Sequence, residues 1–268
     1  MDRRDILLVV KRSGEREEFD RQKTRAGIMR AGATEDEAEV VLGKLLPELH
    51  EGITTEEIYR RVRQLLDVHK AARYGLKKAI LRLGPEGENF ERFVARLFQK
   101  EGFETEVRLN LQGRCVCHEV DVVIKKDGKR SMVECKFHNS LGLKCSIQNA
   151  LYTYARFLDL RQAHGFESAI LATNTRFTSD VDRYARCVDM GLLGWRYPEE
   201  ASLEKLIEKH LLYPTTMLDM KRSDQAVLLD SGMLLVEDIV EREHEVRRLL
   251  SSSSAEQLIV EARYLLHR

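Results

Sequence analysis

Three residues near the middle of the chain, Asp121, Glu134 and Lys136, have the types and spacing to handle a phosphodiester. They lie in the stretch from Cys115 to Lys136, where two runs rich in Val and Ile flank Asp127-Gly128. That dipeptide tolerates positive φ and suits the two-residue type I′ turn of a β-hairpin. With those two residues as the loop, Lys126 faces Lys129, Asp121 falls opposite Glu134, and Glu119 falls opposite Lys136. Alternation puts Glu119, Asp121, Val123, Met132, Glu134 and Lys136 on one face, where charge gathers. Val120, Val122, Ile124, Ser131, Val133 and Cys135 form the other, expected to be core. Directly opposed residues have Cβ atoms about 4.5–5.5 Å apart, and like charges so placed destabilise a sheet. A divalent ion between the two carboxylates compensates, since Mg²⁺ takes one or two protein carboxylates and keeps waters and phosphate oxygens as its other ligands. Lys136 is then placed to stabilise developing phosphate charge or to position the attacking water. The plainer alternative is a solvent-facing strand whose acids happen to align.

Asp121 followed by Glu134-Cys135-Lys136 on the next strand resembles the Asp…(Asp/Glu)-x-Lys signature of the PD-(D/E)xK nucleases, and the surroundings resemble the Mrr-type restriction endonuclease branch. The resemblance covers roughly residues 86 to 197. It implies a metal-dependent DNA endonuclease, with Mg²⁺ or Mn²⁺ held by Asp121 and Glu134 and with double-stranded DNA as the partner.

The elements around the hairpin follow from pattern. Phe90, Phe93, Val94, Leu97 and Phe98 recur at helical spacing, so a helix over 87–101 carries one apolar stripe with Glu91 at its edge. In Mrr-type nucleases a Phe-Glu pair in this helix contributes a carboxylate to the metal site, and Phe90-Glu91 is the equivalent by position. Residues 104–111 alternate as a strand leading into the hairpin. A helix over 142–160 is expected to bury Ile147, Leu151, Tyr154 and Leu158, with Gln148 and Tyr152 beside that face. The latter two resemble the Gln-x₃-Tyr element of RecB-type nucleases, which adds Gln148 to the catalytic candidates. An apolar strand over 168–173, a helix over 179–190 and a strand over 192–196 complete the block. The order helix, three antiparallel strands, helix, strand, helix, strand predicts an α/β fold, the restriction-endonuclease-like α/β/α sandwich.

Residues 1 to 84 read as a small hairpin, with strands near Ile6–Lys11 and Phe19, followed by four helices. Asp20 caps the first. Thr34 with Glu37 forms a capping box for the second, Thr54 or Thr55 caps the third, and the fourth runs over 71–83. Val10-Lys-Arg-Ser-Gly14, Glu18-Phe-Asp20, Lys23 and Ala72-Arg-Tyr74 resemble the ATP-cone, a regulatory nucleotide-binding module. By that resemblance Lys11, Arg12 and Lys23 contact the phosphates of ATP or dATP acting as an effector. No Walker-type loop occurs in the chain, so nucleotide-driven translocation is not indicated.

Domains are therefore expected at 1–84, 85–199 and 200–268. The last is nearly all helix; its 225–240 stretch resembles the cadence of small SAM-like or helix-hairpin-helix-like domains. Ser251 to Ser254 supply a turn and a cap for the final helix. The 44 basic and 44 acidic residues cancel, so contact with nucleic acid must come from a local basic surface rather than a global field. No apolar run approaches a membrane span, and the first residues lack a signal-peptide core. Five cysteines point to free thiols in a reducing compartment. Cys115, Cys117, His118, Cys135, His138 and Cys145 invite a zinc reading, but Cys-x-Cys on a strand is not the knuckle of structural zinc sites. A cytoplasmic protein is expected, with no membrane partner and with homo-oligomerisation left open. The reading from another function class is a non-catalytic, nucleotide-responsive DNA-binding or regulatory protein that keeps the fold.

Overall fold

A computed structural model describes residues 7–11, 13–84, 87–140 and 142–266. The chain forms two compact units, one through Leu76 and one spanning Lys77–Leu266.

In the first unit, β1 (Leu8–Val10) and β2 (Arg16–Glu18) pair antiparallel. Helices α1 (Arg21–Arg30), α2 (Glu35–Leu45) and α3 (Thr55–Leu65) follow, and α4 (Val68–Leu81) belongs to this unit through Leu76. The starts are set by side chains. Asp20 accepts the Lys23 N–H at 2.8 Å, and Thr34 and Thr54 form complete capping boxes with Glu37 and Glu57. Helix α2 stops at Leu45 because Leu46–Glu48, with Pro47, tightens into a 3₁₀ turn, and α4 runs over Val68–Leu81 rather than 71–83. Val9, Ile28, Val41, Leu42, Ile53 and Val62 close a small core.

The second unit opens with α5 (Glu88–Lys100), whose Phe90, Phe93, Val94 and Leu97 are buried as the periodicity predicts. A five-stranded sheet follows in the order β3 (Glu104–Gln112), β4 (Cys117–Lys126), β5 (Lys129–Lys136), β7 (Phe166–Thr173), β9 (Gly191–Leu193). The first three are antiparallel neighbours; β5, β7 and β9 run parallel. Asp127 and Gly128 have φ of 52° and 79°, the turn the dipeptide predicts, and Lys126 pairs with Lys129. A two-stranded ribbon, β6 (Lys144–Cys145) with β8 (Arg176–Phe177), flanks the sheet. Helix α5 packs on β3, β4 and β5; α6 (Ile147–His164) packs on β3, β5, β7 and α7 (Ser179–Cys187). This is the restriction-endonuclease-like α/β/α sandwich.

Three expectations are corrected. Both faces of the hairpin are core at its middle, since Val123 and Met132 are as buried as Val122 and Val133; helices cover both sides of the sheet. Helix α6 begins at Ile147 rather than near Gly142, because Ser146 caps it and Lys144–Cys145 is drawn into the ribbon. Its buried face is Ala150, Thr153, Arg156, Phe157 and Leu160, while Leu151 and Leu158 are exposed. A buried arginine broke the apolar pattern from which the face was read.

Residues beyond β9 are helical: α8 (Leu203–His210), α9 (Arg222–Asp230), α10 (Val236–Glu241), α11 (Glu243–Leu249) and α12 (Ser252–Leu266). They belong to the same compact unit as the sheet. Arg96 of α5 reaches Glu237 and Asp238 of α10 at 2.7 and 3.0 Å, and the Thr216 hydroxyl donates to the Ala79 carbonyl at 2.6 Å. Among the described residues no helix is long and apolar enough to cross a membrane.

Candidate active site

The β4–β5 ladder runs from the turn to Val122↔Val133 and stops there, one pair before Asp121 would meet Glu134. Two facing carboxylates repel, so the strands part at that point. The parting is spanned by a side chain: Asp121 Oδ2 accepts the Cys135 N–H at 2.7 Å. Strand β5 meanwhile continues along β7 through Lys136↔Thr173, so Glu134 and Lys136 stay fixed while their neighbour diverges.

Glu91 joins from α5. Its side chain is 16% exposed, and its Oε2 is buried without a hydrogen-bond partner. Burial, reinforced by the Asp121 charge, pushes its carboxyl up to about 7. Burial and Asp121 likewise push Glu134 up to about 7, against the pull of Arg156 and Lys136. Asp121 is raised too, chiefly by burial, with the Cys135 N–H opposing. Three carboxylates from three elements thus share one half-buried space, where the Asp121 charge makes ionisation harder for Glu91 and Glu134, and Glu91 adds to the effect on Glu134. Lys136 is exposed at the end of β5, and its ammonium favours the charged forms of Asp121 and Glu134.

Several neighbours were not found by sequence reasoning. Arg156 Nη1 donates to Glu134 Oε2, while Nη2 donates to the Tyr152 hydroxyl at 2.8 Å. Arg108 holds φ at 54° on the strand position facing Asp121, and its guanidinium lies 2.6 Å from Glu88, 3.3 Å from Glu119 and 4.0 Å from Glu91. A non-glycine residue in that region is strained, as residues at functional sites often are. Asn174, 1% exposed, receives the His138 N–H and donates to the His138 carbonyl, both at 2.8 Å, so it pins the chain where it leaves β5. One signal did exist for Arg156: it follows Gln148 and Tyr152 at four-residue steps, the spacing of one helix face.

Glu91, Asp121, Glu134 and Lys136 therefore come together. Gln148 is exposed in the first turn of α6 and is joined to no carboxylate among the described residues. Glu119 pairs with Asn110 of β3 rather than with Lys136. The donors are hard oxygens, and Glu91 Oε2 is buried with no hydrogen bond and only the Arg108 guanidinium at 4.0 Å for counter-charge, so the set fits Mg²⁺ or Mn²⁺. Among the described residues no three His, Cys, Asp or Glu side chains form a ready cage. The Cys115–His118 segment, at the start of β4, instead wraps the Asp159 carboxylate, which accepts from the Cys115 N–H at 2.8 Å, the Val116 N–H at 3.2 Å and the His118 ring at 2.9 Å.

In the first unit, Lys11 and Lys23 converge on Glu17, at 2.9 and 3.8 Å. Arg12 lies outside the described residues.

Family models match twice: the ATP cone domain over residues 7–81 and the restriction endonuclease domain of Mrr type over 84–193. An uncharacterised protein of Archaeoglobus fulgidus is 41% identical over 172 residues, which are 63% of this chain and 98% of that protein. A crystal structure of a protein of unknown function superposes with a TM-score of 0.60 at 40% identity, covering 66% of this chain and 97% of the other. The MspJI restriction endonuclease, solved with a 27-mer oligonucleotide, gives a TM-score of 0.34 at 11% identity over 59% of this chain and 39% of its own, too slight an overlap to bear on the fold. The chain belongs to the Mrr-type restriction endonuclease family, with an ATP cone at its N-terminal side.

Proposed function

We propose that the chain is a divalent-metal-dependent endonuclease that hydrolyses phosphodiester bonds of double-stranded DNA, and that ATP or dATP bound by the first unit adjusts it. The observation that carries the reading is the meeting of Glu91, Asp121 and Glu134, each with its carboxyl pushed upward, beside Lys136. Acids that resist ionisation together are stable as anions only beside a cation. Asp121 and Glu134 would hold Mg²⁺ or Mn²⁺, with Glu91 assisting. When bound, the ion supplies Lewis-acid polarisation of a phosphate oxygen and lowers the pKa of a coordinated water. Lys136 would orient the attacking water and offset charge growing on the phosphate as one P–O bond forms and the ester P–O bond breaks. Lys11, Arg12 and Lys23 would contact the nucleotide phosphates. A division at residues 84 and 199 belongs to the same proposal.

One observation favours a second reading, a nucleotide-responsive DNA-binding protein that does not cut: Arg156 already supplies Glu134 with a counter-charge. Incubating supercoiled plasmid with the full chain and Mg²⁺ or Mn²⁺, with and without ATP, separates the two. Nicked or linear product that disappears in Asp121→Asn supports the nuclease; intact plasmid with every ion, together with retained DNA binding, supports the second reading.

A further inference from the structure

Arg156 comes from a helix of the outer layer, yet it is only 9% exposed. A guanidinium is seldom buried without a partner for its charge. One arm lies on Glu134 Oε2 and the other donates to the Tyr152 hydroxyl, whose ring centroid is 4.7 Å from the guanidinium carbon. The remaining nitrogen, Nε, is buried with no hydrogen-bond partner. Arg156 therefore has donor capacity left over, in the planar fork that suits bidentate recognition of a phosphate.

The contact also has a cost for the proposed ion. A guanidinium and a divalent cation compete for Glu134, and their charges repel. Once an ion takes that carboxylate, Nη1 joins Nε in lacking an acceptor, inside a site where donors without partners are expensive. The acceptor that arrives with the substrate is the phosphodiester.

We propose that Arg156 is a stand-in cation that becomes a substrate-contacting residue: it neutralises Glu134 while the ion is absent and turns to the scissile phosphate when ion and DNA are bound. The proposal rests on the nuclease reading above. Tyr152 is the pivot, keeping Nη2 while Nη1 is released. If Arg156 were only a strut, it would hold Glu134 ready for the ion, and its loss would weaken ion binding. The stand-in role has the opposite sign.

The test uses the full chain, with folding of each variant checked by far-UV circular dichroism. Calorimetry measures Mn²⁺ binding without DNA, and single-turnover assays follow plasmid cleavage at saturating Mn²⁺. Arg156→Gln is expected to bind Mn²⁺ more tightly than wild type and to cleave about 10²–10³-fold more slowly, the loss typical of removing one transition-state donor. Arg156→Lys keeps the charge but not the fork, so its Mn²⁺ affinity stays near wild type while cleavage still falls. Weaker Mn²⁺ binding by Arg156→Gln, or undiminished cleavage by the folded variant, overturns the proposal. Should Arg156→Gln not fold, wild-type cleavage by Arg156→Lys overturns it instead. A wild-type chain that neither binds Mn²⁺ nor cuts overturns the nuclease reading and this proposal with it; an active wild type with indifferent variants overturns this proposal alone.

Discussion

Glu91 is the acid whose environment offers it least. Its Oε2 is buried without a hydrogen-bond partner, with Arg108 no nearer than 4.0 Å, and its carboxyl is pushed from 4.5 up to about 7. Because the folded state holds the proton more tightly than the unfolded chain, the group contributes stability below pH 4.5 that is lost as pH rises toward about 7. Glu91→Gln removes the charge and keeps the shape, so without metal its melting temperature is expected to exceed wild type at pH 8 and to match it at pH 5. Mg²⁺ binds the ionised form and should raise the wild-type melting temperature at pH 8 far more than at pH 5. Equal melting curves at both values would contradict the burial argument. Relief of repulsion by itself suggests that removing Glu134 is equally harmless, but the pairing with Arg156 changes that expectation. Glu134→Gln strands a buried guanidinium, and breaking such a pair costs about 3–5 kcal/mol. Asp121→Asn is the better ligand deletion: it keeps an acceptor for the Cys135 N–H and should abolish cleavage in a folded protein. For Lys136, Lys136→Arg keeps the charge and replaces a compact ammonium with a planar fork, so turnover is expected to fall while DNA binding persists. A single-turnover rate equal to wild type would reduce Lys136 to a generic positive charge.

At the scale of elements, the hairpin was legible because its turn chemistry is local. Asp127-Gly128 sets the register for the pairs from Lys126↔Lys129 to Val122↔Val133, and alternation then assigns faces. What ended the ladder was also local, two like charges, but the consequence was not: past that point Asp121 holds the Cys135 N–H and β5 follows β7 instead. The face of α6 was misread for a related reason. Arg156 looks polar in a periodicity count, whereas its partner Glu134 lies 22 positions earlier on a strand. Long-range ion pairs leave no mark in a local pattern. Asn174 belongs to the same class, since its reciprocal bonds to the His138 backbone span 36 positions. Asn174→Ala removes both and leaves a half-buried N–H and C=O without their side-chain partner, which is expected to cost about 1 kcal/mol. Denaturant melts measure that loss. An unchanged midpoint would mean that β7 alone holds the end of β5 through the Lys136↔Thr173 pairing and the Thr173 hydroxyl on the Lys136 carbonyl at 2.7 Å.

At the scale of the whole molecule, 44 positive and 44 negative charges leave no net field, so a polyanion must be met by groups freed locally from their own partners. Both units are built that way. Arg108 and Arg156 lie on carboxylates beside the proposed ion site, and in the ATP cone Lys11 lies on Glu15 and Glu17 while Lys23 lies near Glu17. Exposed pairs of this kind are worth about 0–1 kcal/mol, so a triphosphate can displace Glu17 at little cost. ATP or dATP is therefore expected to bind the full chain in calorimetry, and Lys11→Ala combined with Lys23→Ala should weaken binding by removing phosphate-pairing charge. Binding alone regulates nothing. A nucleotide shifts cleavage or assembly only if two arrangements of the protein bind it unequally, and such coupling is typically about 1–3 kcal/mol, or 5–150-fold. Linkage makes the effect reciprocal, so if ATP strengthens DNA binding, DNA must strengthen ATP binding by the same factor. Titrating ATP with and without a saturating oligonucleotide duplex reads that factor directly. Equal ATP affinities in the two titrations, together with cleavage and light scattering that ignore nucleotide, would leave the ATP cone a binding module with no hold on the nuclease.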